Sequence, residues 1–212
     1  MIEEEVQGWL VDHDVSRETI ASLERFATFL LLEAESQNLI AASTKPHIWS
    51  RHILDSAQLL GFAPDPQHWL DIGTGAGFPG LVIAAISECE VTLVEQRPLR
   101  ADFLRCGTEV LGIAHRCHVI CSRVEQLPVS AFDVISARAF APLPQIFAAA
   151  ARFSTLSTRW ILPKGRNAQT ELAAAESSWQ GDFRLEPSLT DADARIIVAQ
   201  GVRRKREGKR RG

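Results

Sequence analysis

Short, nearly continuous apolar runs alternate with amphipathic stretches along most of the chain. Trp69 to Ile72, Glu90 to Glu95, Cys117 to Cys121, Phe132 to Ser136 and Arg159 to Leu162 have the length and composition of strands buried on both faces. The segments between them carry apolar positions at helical spacing: 81–86, 98–111 opened by Pro98, 142–153 opened by Pro142, and 168–177. Strand and helix in turn predict an α/β fold, a parallel sheet flanked by helices. Phe183 to Leu189 and Arg195 to Val202 add two strands joined by an Asp-Ala-Asp turn, a terminal hairpin on that sheet.

Before the first strand the period is helical only. Residues 2–11 can form a short helix, and Ser16 caps a longer one over 17–36, where Ile20, Leu23, Phe26, Leu30 and Leu31 recur on one face. A third helix is predicted over 46–60, stopped by Gly61 and the prolines at 64 and 66. No linker separates these helices from the sheet. We therefore expect a single domain, with residues 1–64 as a helical extension packed on a Rossmann-like core of 65–202, and 203–212 as a basic flexible tail.

The first strand runs into Gly73-Thr-Gly75-Ala-Gly77-Phe-Pro-Gly80. Gly75, Gly77 and Gly80 satisfy a dinucleotide fingerprint, and Glu95 lies twenty residues past Gly75, where an acid gripping a ribose is expected. Two neighbours argue against a dinucleotide. Asp71 would repel a pyrophosphate, and Pro79 removes an amide that a phosphate would use. An adenosyl cofactor without phosphate, S-adenosylmethionine, fits better, its ammonium beside Asp71 and its ribose on Glu95.

Composition narrows the class. With 212 residues and 46% hydrophobic residues the chain can bury a full core, and no apolar run is long enough to span a membrane. The start, Met-Ile-Glu-Glu-Glu, lacks the pattern of a signal peptide, so a cytoplasmic protein is expected. The net charge of -3 conceals a tail of +6 between Arg203 and Arg211, against -9 for the rest. An acidic body with a basic end suits an enzyme with a local basic contact better than a general nucleic-acid coat. The cysteines at 89, 106, 117 and 121 are read as free thiols. His115, Cys117, His118 and Cys121 do not converge on one side of a strand, so no metal site is expected.

Ligands of such sheets bind beyond the carboxyl ends of the strands. There lie Asp71 and the glycines, Glu95, Ser122 to Gln126, Arg138 to Phe140, and Lys164-Gly165. Glu125, or Arg123 with Gln126, would frame an adenine. Arg138 would act in the cleft directly or through an ion pair with Asp71 or Glu95. Ser50, His52 and Asp55 contain the residue types of a hydrolase triad, but no nucleophile turn accompanies them. Arg51 and Asp55, four apart, could be a helix pair.

Taken together, Trp69 to Gly80, Arg51-His-Ile-Leu-Asp-Ser56, Asn38-Leu39, Ser136-Ala-Arg-Ala-Phe140 and Lys164-Gly165 resemble the bacterial glucose-inhibited division protein B family over about residues 20–200. The resemblance implies a class I S-adenosylmethionine-dependent methyltransferase that modifies guanine N7 in 16S ribosomal RNA, at guanosine 527 of the 530 loop. Its donor-binding residues would be Asp71, Gly73, Thr74, Gly75, Gly77, Phe78, Glu95, Gln96, Arg123, Val124, Glu125 and Arg138. Arg138 would also position the reactants. Guanine N7 carries its own lone pair and loses no proton on methylation, so no general base is expected. Phe140 or Phe78 would stack on the base. Lys45, Arg51, His52, Arg100, Phe140, Lys164, Arg166 and the tail residues Arg203, Arg204, Lys205 and Arg206 are the RNA-binding candidates. The expected partner is 16S RNA or the small-subunit precursor, and the chain is expected to act as a monomer.

Overall fold

A computed structural model describes residues 3–63 and 65–205. One seven-stranded sheet has the order β3-β2-β1-β4-β5-β7-β6. Strands β1 (His68–Ile72), β2 (Glu90–Glu95), β3 (Cys117–Cys121), β4 (Val134–Ser136) and β5 (Arg159–Lys164) are parallel. Strand β7 (Arg195–Arg204) is antiparallel to both β5 and β6 (Trp179–Pro187). The strand order reverses at β1 and β4, which places a crevice at their carboxyl ends.

Successive strand residues feed opposite faces, as the pleat requires. Trp69, Val91, Leu93, Val134 and Ile161 pack under α1 (Glu3–Asp12), α2 (Arg17–Glu33), α4 (Gly80–Ile86) and α5 (Pro98–Leu111). Leu70, Ile72, Val94, Ile135 and Leu162 pack under α6 (Leu143–Ala150) and α7 (Ala168–Glu176). The helical extension shares the first of these cores. Phe29 stacks on Phe103 of α5 with ring centroids 5.1 Å apart, and Phe26 meets Phe78 edge-on at 6.0 Å. The caps follow the sequence: Ser16 Oγ accepts from Thr19 N at 3.1 Å, and Gly112, at φ 74°, ends α5.

The third helix of the extension differs from expectation. Residues 42–62 form a 3-10 turn (Ala42–His47), a π-helical turn (Trp49–Leu54), the short α3 (Asp55–Ala57) and a second 3-10 turn (Gln58–Phe62). Pro46 cannot continue a hydrogen-bonded ladder, and the amides just after it are taken by another residue. The Glu3 carboxylate accepts from Trp49 N at 2.9 Å and Ser50 N at 2.7 Å. The C-terminal hairpin is also longer than predicted. A bulge between Gln180 and Asp182 interrupts the alternation that would have revealed the start of β6. Strand β7 continues through Arg204, so Arg203 and Arg204 belong to the sheet rather than to a tail. Arg206 lies outside the described residues.

Candidate active site

The glycine turn is fastened on both sides. Gly73 N and Thr74 N both donate to Val94 O, at 2.8 and 3.3 Å, which ties the end of β1 to β2. Gly73, Gly75 and Gly77 have φ of 64°, 61° and 91°, a region costly for any other residue. Beneath the turn, Asp71 is fully buried. It accepts from Gly80 N at 3.1 Å and from Ser136 Oγ at 2.7 Å, and Ser136 Oγ accepts in turn from Trp69 Nε1 at 2.8 Å. Burial pushes the Asp71 carboxyl up to about 6, against the lowering effects of the Thr74 and Ser136 hydroxyls, the Gly80 amide and the Arg138 charge. Asp71 therefore joins β1, β4 and the start of α4; its carboxylate does not line the cavities above, where an ammonium was expected to meet it.

Above the turn is a cavity of about 370 Å³, walled by Gly73, Glu95, Gln96, Arg97, Arg100, Arg123, Val124, Glu125 and Phe140, among others. Glu95 reaches it from the end of β2. Its carboxylate is held by Gly75 N at 3.2 Å and Arg97 N at 2.8 Å, so it stands in one orientation at the cavity edge. A smaller space of about 230 Å³ continues over Thr74, Gly75, Ala76 and Phe78 to Leu39, Arg100 and Arg138. Arg100 closes it against the extension, donating to Asn38 O at 2.7 Å. A fixed carboxylate at the second strand end, bare glycine backbone and the flanking Val124 suit a ribose, an amino acid portion and an adenine respectively. The residues present fit an adenosyl donor.

On the other side of Ala139 and Phe140 lies a larger cavity of about 600 Å³. It is lined by the π-helical turn, the loop after β4, the end of β5 and the β6–β7 turn. Arg138 is its hub. Arg138 Nη1 donates to Asp55 Oδ2 at 3.1 Å and Arg51 O at 3.2 Å, and Nη2 donates to His52 Nδ1 at 2.7 Å. A guanidinium has only donors, so the His52 proton sits on Nε2, 2.9 Å from Thr44 Oγ1. Burial, and then the charges of Arg138 and Arg51, lower His52 to about 3; the ring is neutral. It stacks on Phe78 at 4.8 Å, with the Arg138 guanidinium 5.2 Å from the same ring.

Two expected pairings are thereby corrected. Arg138 pairs with Asp55, not with Asp71 or Glu95, and Arg51 pairs with Asp191 at 3.0 Å, not with Asp55. The π-helical turn changes the angular spacing, so residues four apart no longer share a face. Asp55 also accepts from Thr190 Oγ1 at 2.7 Å, and Gln58 Oε1 accepts from Leu189 N at 2.8 Å, which latches the β6–β7 turn onto the extension.

The other candidates divide. Phe140, 37% exposed, covers Gly73 so closely that a Cβ there would lie 2.2 Å from its ring, whereas Phe78 is buried beneath His52. Lys164 lines the larger cavity with its ammonium on Glu171 at 2.8 Å and on Ala141 O at 2.8 Å; a phosphate would have to compete with both. Lys45 donates to Ala34 O at 3.0 Å, and Arg166 is exposed beside Gly165. Arg203, Arg204 and Lys205 are elsewhere. Arg195 of β7 pairs with Lys164 at the cleft and Gln200 pairs with Arg159 at the start of β5, so the strand carries them to the opposite end of the sheet. Arg204 lies there over Trp179, 5.6 Å from the ring centre. No cluster of three or more potential metal ligands occurs among the described residues. Glu171, Thr190, Asp191 and Arg195 were not singled out from the sequence, and the Asp-Ala-Asp turn hinted at one of them, Asp191.

Comparison with solved structures places the sheet. An O-methyltransferase from Bacillus cereus in complex with SAH superposes with a TM-score of 0.57 at 20% identity, over 82% of this chain and 90% of that one. MtNAS in complex with MTA and tNA gives 0.55 at 19% identity, over 84% and 69%. With the strand order, the glycine turn and the acid after β2, this is the class I S-adenosylmethionine-dependent methyltransferase fold. The family model described as rRNA small subunit methyltransferase G matches residues 19–194, and the chain belongs to that family. A Rhizorhabdus wittichii protein named ribosomal RNA small subunit methyltransferase G is 51% identical over 99% of this chain and 98% of its own length. One of the same name from Zymomonas mobilis is 45% identical over 98% and 97%. No helix among the described residues is long and apolar enough to cross a membrane.

Proposed function

We propose that this enzyme methylates N7 of a guanosine in 16S ribosomal RNA, the nucleotide corresponding to guanosine 527, in the cytoplasm. One observation carries the choice of acceptor atom: among the described residues, no side chain lining the larger cavity offers a free base. Both His52 nitrogens are engaged, the Asp71 carboxyl is sealed below the glycine turn, and Asp55, Glu171 and Asp191 are each paired with a cation. An acceptor that must lose a proton would be poorly served. Guanine N7 attacks with an in-plane lone pair and leaves no proton behind.

Bound S-adenosylmethionine supplies a methyl group on a sulfonium, electrophilic enough to need no further activation. The chain then has to place and to shield. Glu95 holds ribose hydroxyls, with Gly75 N and Arg97 N fixing its carboxylate; Val124 and Glu125 flank the adenine, beside Gln96 and Arg123 at the cavity wall. Phe140 and Arg138 stand where the two cavities meet, Phe140 to stack on the guanine and Arg138 to orient the reactants. Proximity on this scale, with reacting atoms roughly 3 Å apart and in line, is the main contribution available to the protein. The target must be unpaired or splayed, because the RNA major groove is too narrow to admit the pocket.

Transfer of tritiated methyl to small ribosomal subunits, to deproteinised 16S RNA and to small metabolites tests the reading. Borohydride reduction and aniline cleavage then locate the modified base. Label in RNA with cleavage at a single guanosine is expected. Label in metabolites alone, or in RNA without cleavage, overturns it.

A further inference from the structure

The 600 Å³ cavity is lined by four fixed cations and three carboxylates. Three of the cations are neutralised in place: Arg138 by Asp55 at 3.1 Å, Arg51 by Asp191 at 3.0 Å, and Lys164 by Glu171 at 2.8 Å. His52 adds no charge. Arg195 is the fourth, and among the described residues it has no acidic partner within ion-pair distance. Its Nη1 donates to the carbonyls of Ala192 and Ala194, at 2.6 and 2.7 Å. These two bonds orient the guanidinium from the first residue of β7 and leave the Nη2 and Nε donors unused. The cavity thus carries one uncompensated positive charge, held at the start of β7, on the far side of β5 from the strand that leads to Phe140.

That arrangement suits one part of a nucleotide. The base belongs at the Phe140 and Arg138 end, where the methyl is delivered, so the backbone of the same residue must leave through the rest of the cavity. We infer that Arg195 binds a phosphate flanking the acceptor nucleotide and so fixes how far that nucleotide enters the cleft. A neutral cavity would suffice for a base; the single surplus cation matches the single charge of one phosphodiester. The β6–β7 turn, latched to Asp55 and Gln58, is the frame that holds Arg195 in place. This inference rests on the RNA reading given above.

The test is the salt dependence of RNA binding by the full chain, with Arg195→Gln and Arg195→Lys. For the glutamine variant the slope of log affinity against log salt should fall by about 0.7 to 0.9, the loss of one phosphate contact. KM for RNA should rise roughly tenfold, with kcat at saturating RNA and calorimetric affinity for S-adenosylhomocysteine near the parent values. The lysine variant should restore the slope. If Arg195 only caps the turn, the glutamine variant will lose thermal stability and activity with the slope unchanged, and the inference is wrong. If the parent enzyme binds S-adenosylhomocysteine but methylates no guanine N7 in RNA, the functional reading fails first and this inference falls with it.

Discussion

The cavities on the two sides of Ala139 and Phe140 are built differently. The side above the glycine turn, proposed to take the donor, is made of backbone: three glycines, two amides on Glu95, and short loops that each follow their own strand. The other side, proposed to take the acceptor, is made of long side chains in ion pairs, drawn from the N-terminal extension, the loop after β4, the end of β5 and the C-terminal hairpin. A pocket of the first kind is assembled as soon as the sheet forms. One of the second kind requires distant parts of the chain to be seated together, and its geometry depends on charge.

The sharpest way to separate the two is Glu95→Ala. Losing two charge-assisted contacts to ribose should cost about 4 kcal/mol of donor binding, roughly a thousandfold, by calorimetry with S-adenosylhomocysteine. RNA affinity should hardly change. If RNA binding falls equally, the two sides are not independent.

Acidity should act on them with opposite signs. The folded chain keeps a proton on Asp71 between pH 6 and 3.8 that the unfolded chain has released, so the cost of burying the anion is full above pH 6 and vanishes below 3.8. Relative to Asp71→Asn, the parent should gain up to about 3 kcal/mol on going from pH 7 to pH 4. His52 works the other way. From pH 6.5 down towards 3 the unfolded chain takes up a proton that the folded ring refuses, so this residue makes the fold less stable as pH falls. His52→Asn should flatten that limb in urea melts collected across the range.

Asp55→Ala leaves Arg138 facing the neutral His52 with no carboxylate and takes from the Thr190 hydroxyl its acceptor on the extension. For a pair with side chains 20% and 17% exposed, a loss of about 2 kcal/mol in urea unfolding is expected, below the full penalty of a buried pair. Methyl transfer should fall more than donor affinity does. Phe140→Ala has the smallest predicted effect, about tenfold in KM for RNA, the value of one base stack. An unchanged KM would remove Phe140 from the acceptor side.

This contrast also decides what the sequence could reveal. The glycine turn and the acid beside it were legible as structure because their elements are local: Asp71 through Gly80 is one strand and one turn, and Glu95 is the end of the next strand. The parallel sheet with its terminal hairpin was legible for the same reason. The pairing of Arg138 with Asp55 was not, because it joins residues far apart and depends on a π-helical turn that the pattern at 46–60 reads as ordinary helix. Lys164 looked like a free cation, yet Glu171, a residue in a predicted helix, neutralises it. Asp71 looked like a cofactor ligand because its type and place fit; only burial assigns it to the framework. The hairpin's direction, which sends Arg203 and Arg204 away from the cleft, follows from the antiparallel register of β7.

The bonds from Glu3 to the amides of Trp49 and Ser50 have a practical corollary. The first turn of the first helix braces the segment that presents Arg51 and His52, so anything fused, cleaved or modified next to residue 3 should be felt as weakened catalysis rather than as misfolding. A purification tag placed next to residue 3 should therefore disturb the cavity around Arg51 and His52, and comparing tagged with untagged enzyme would measure it.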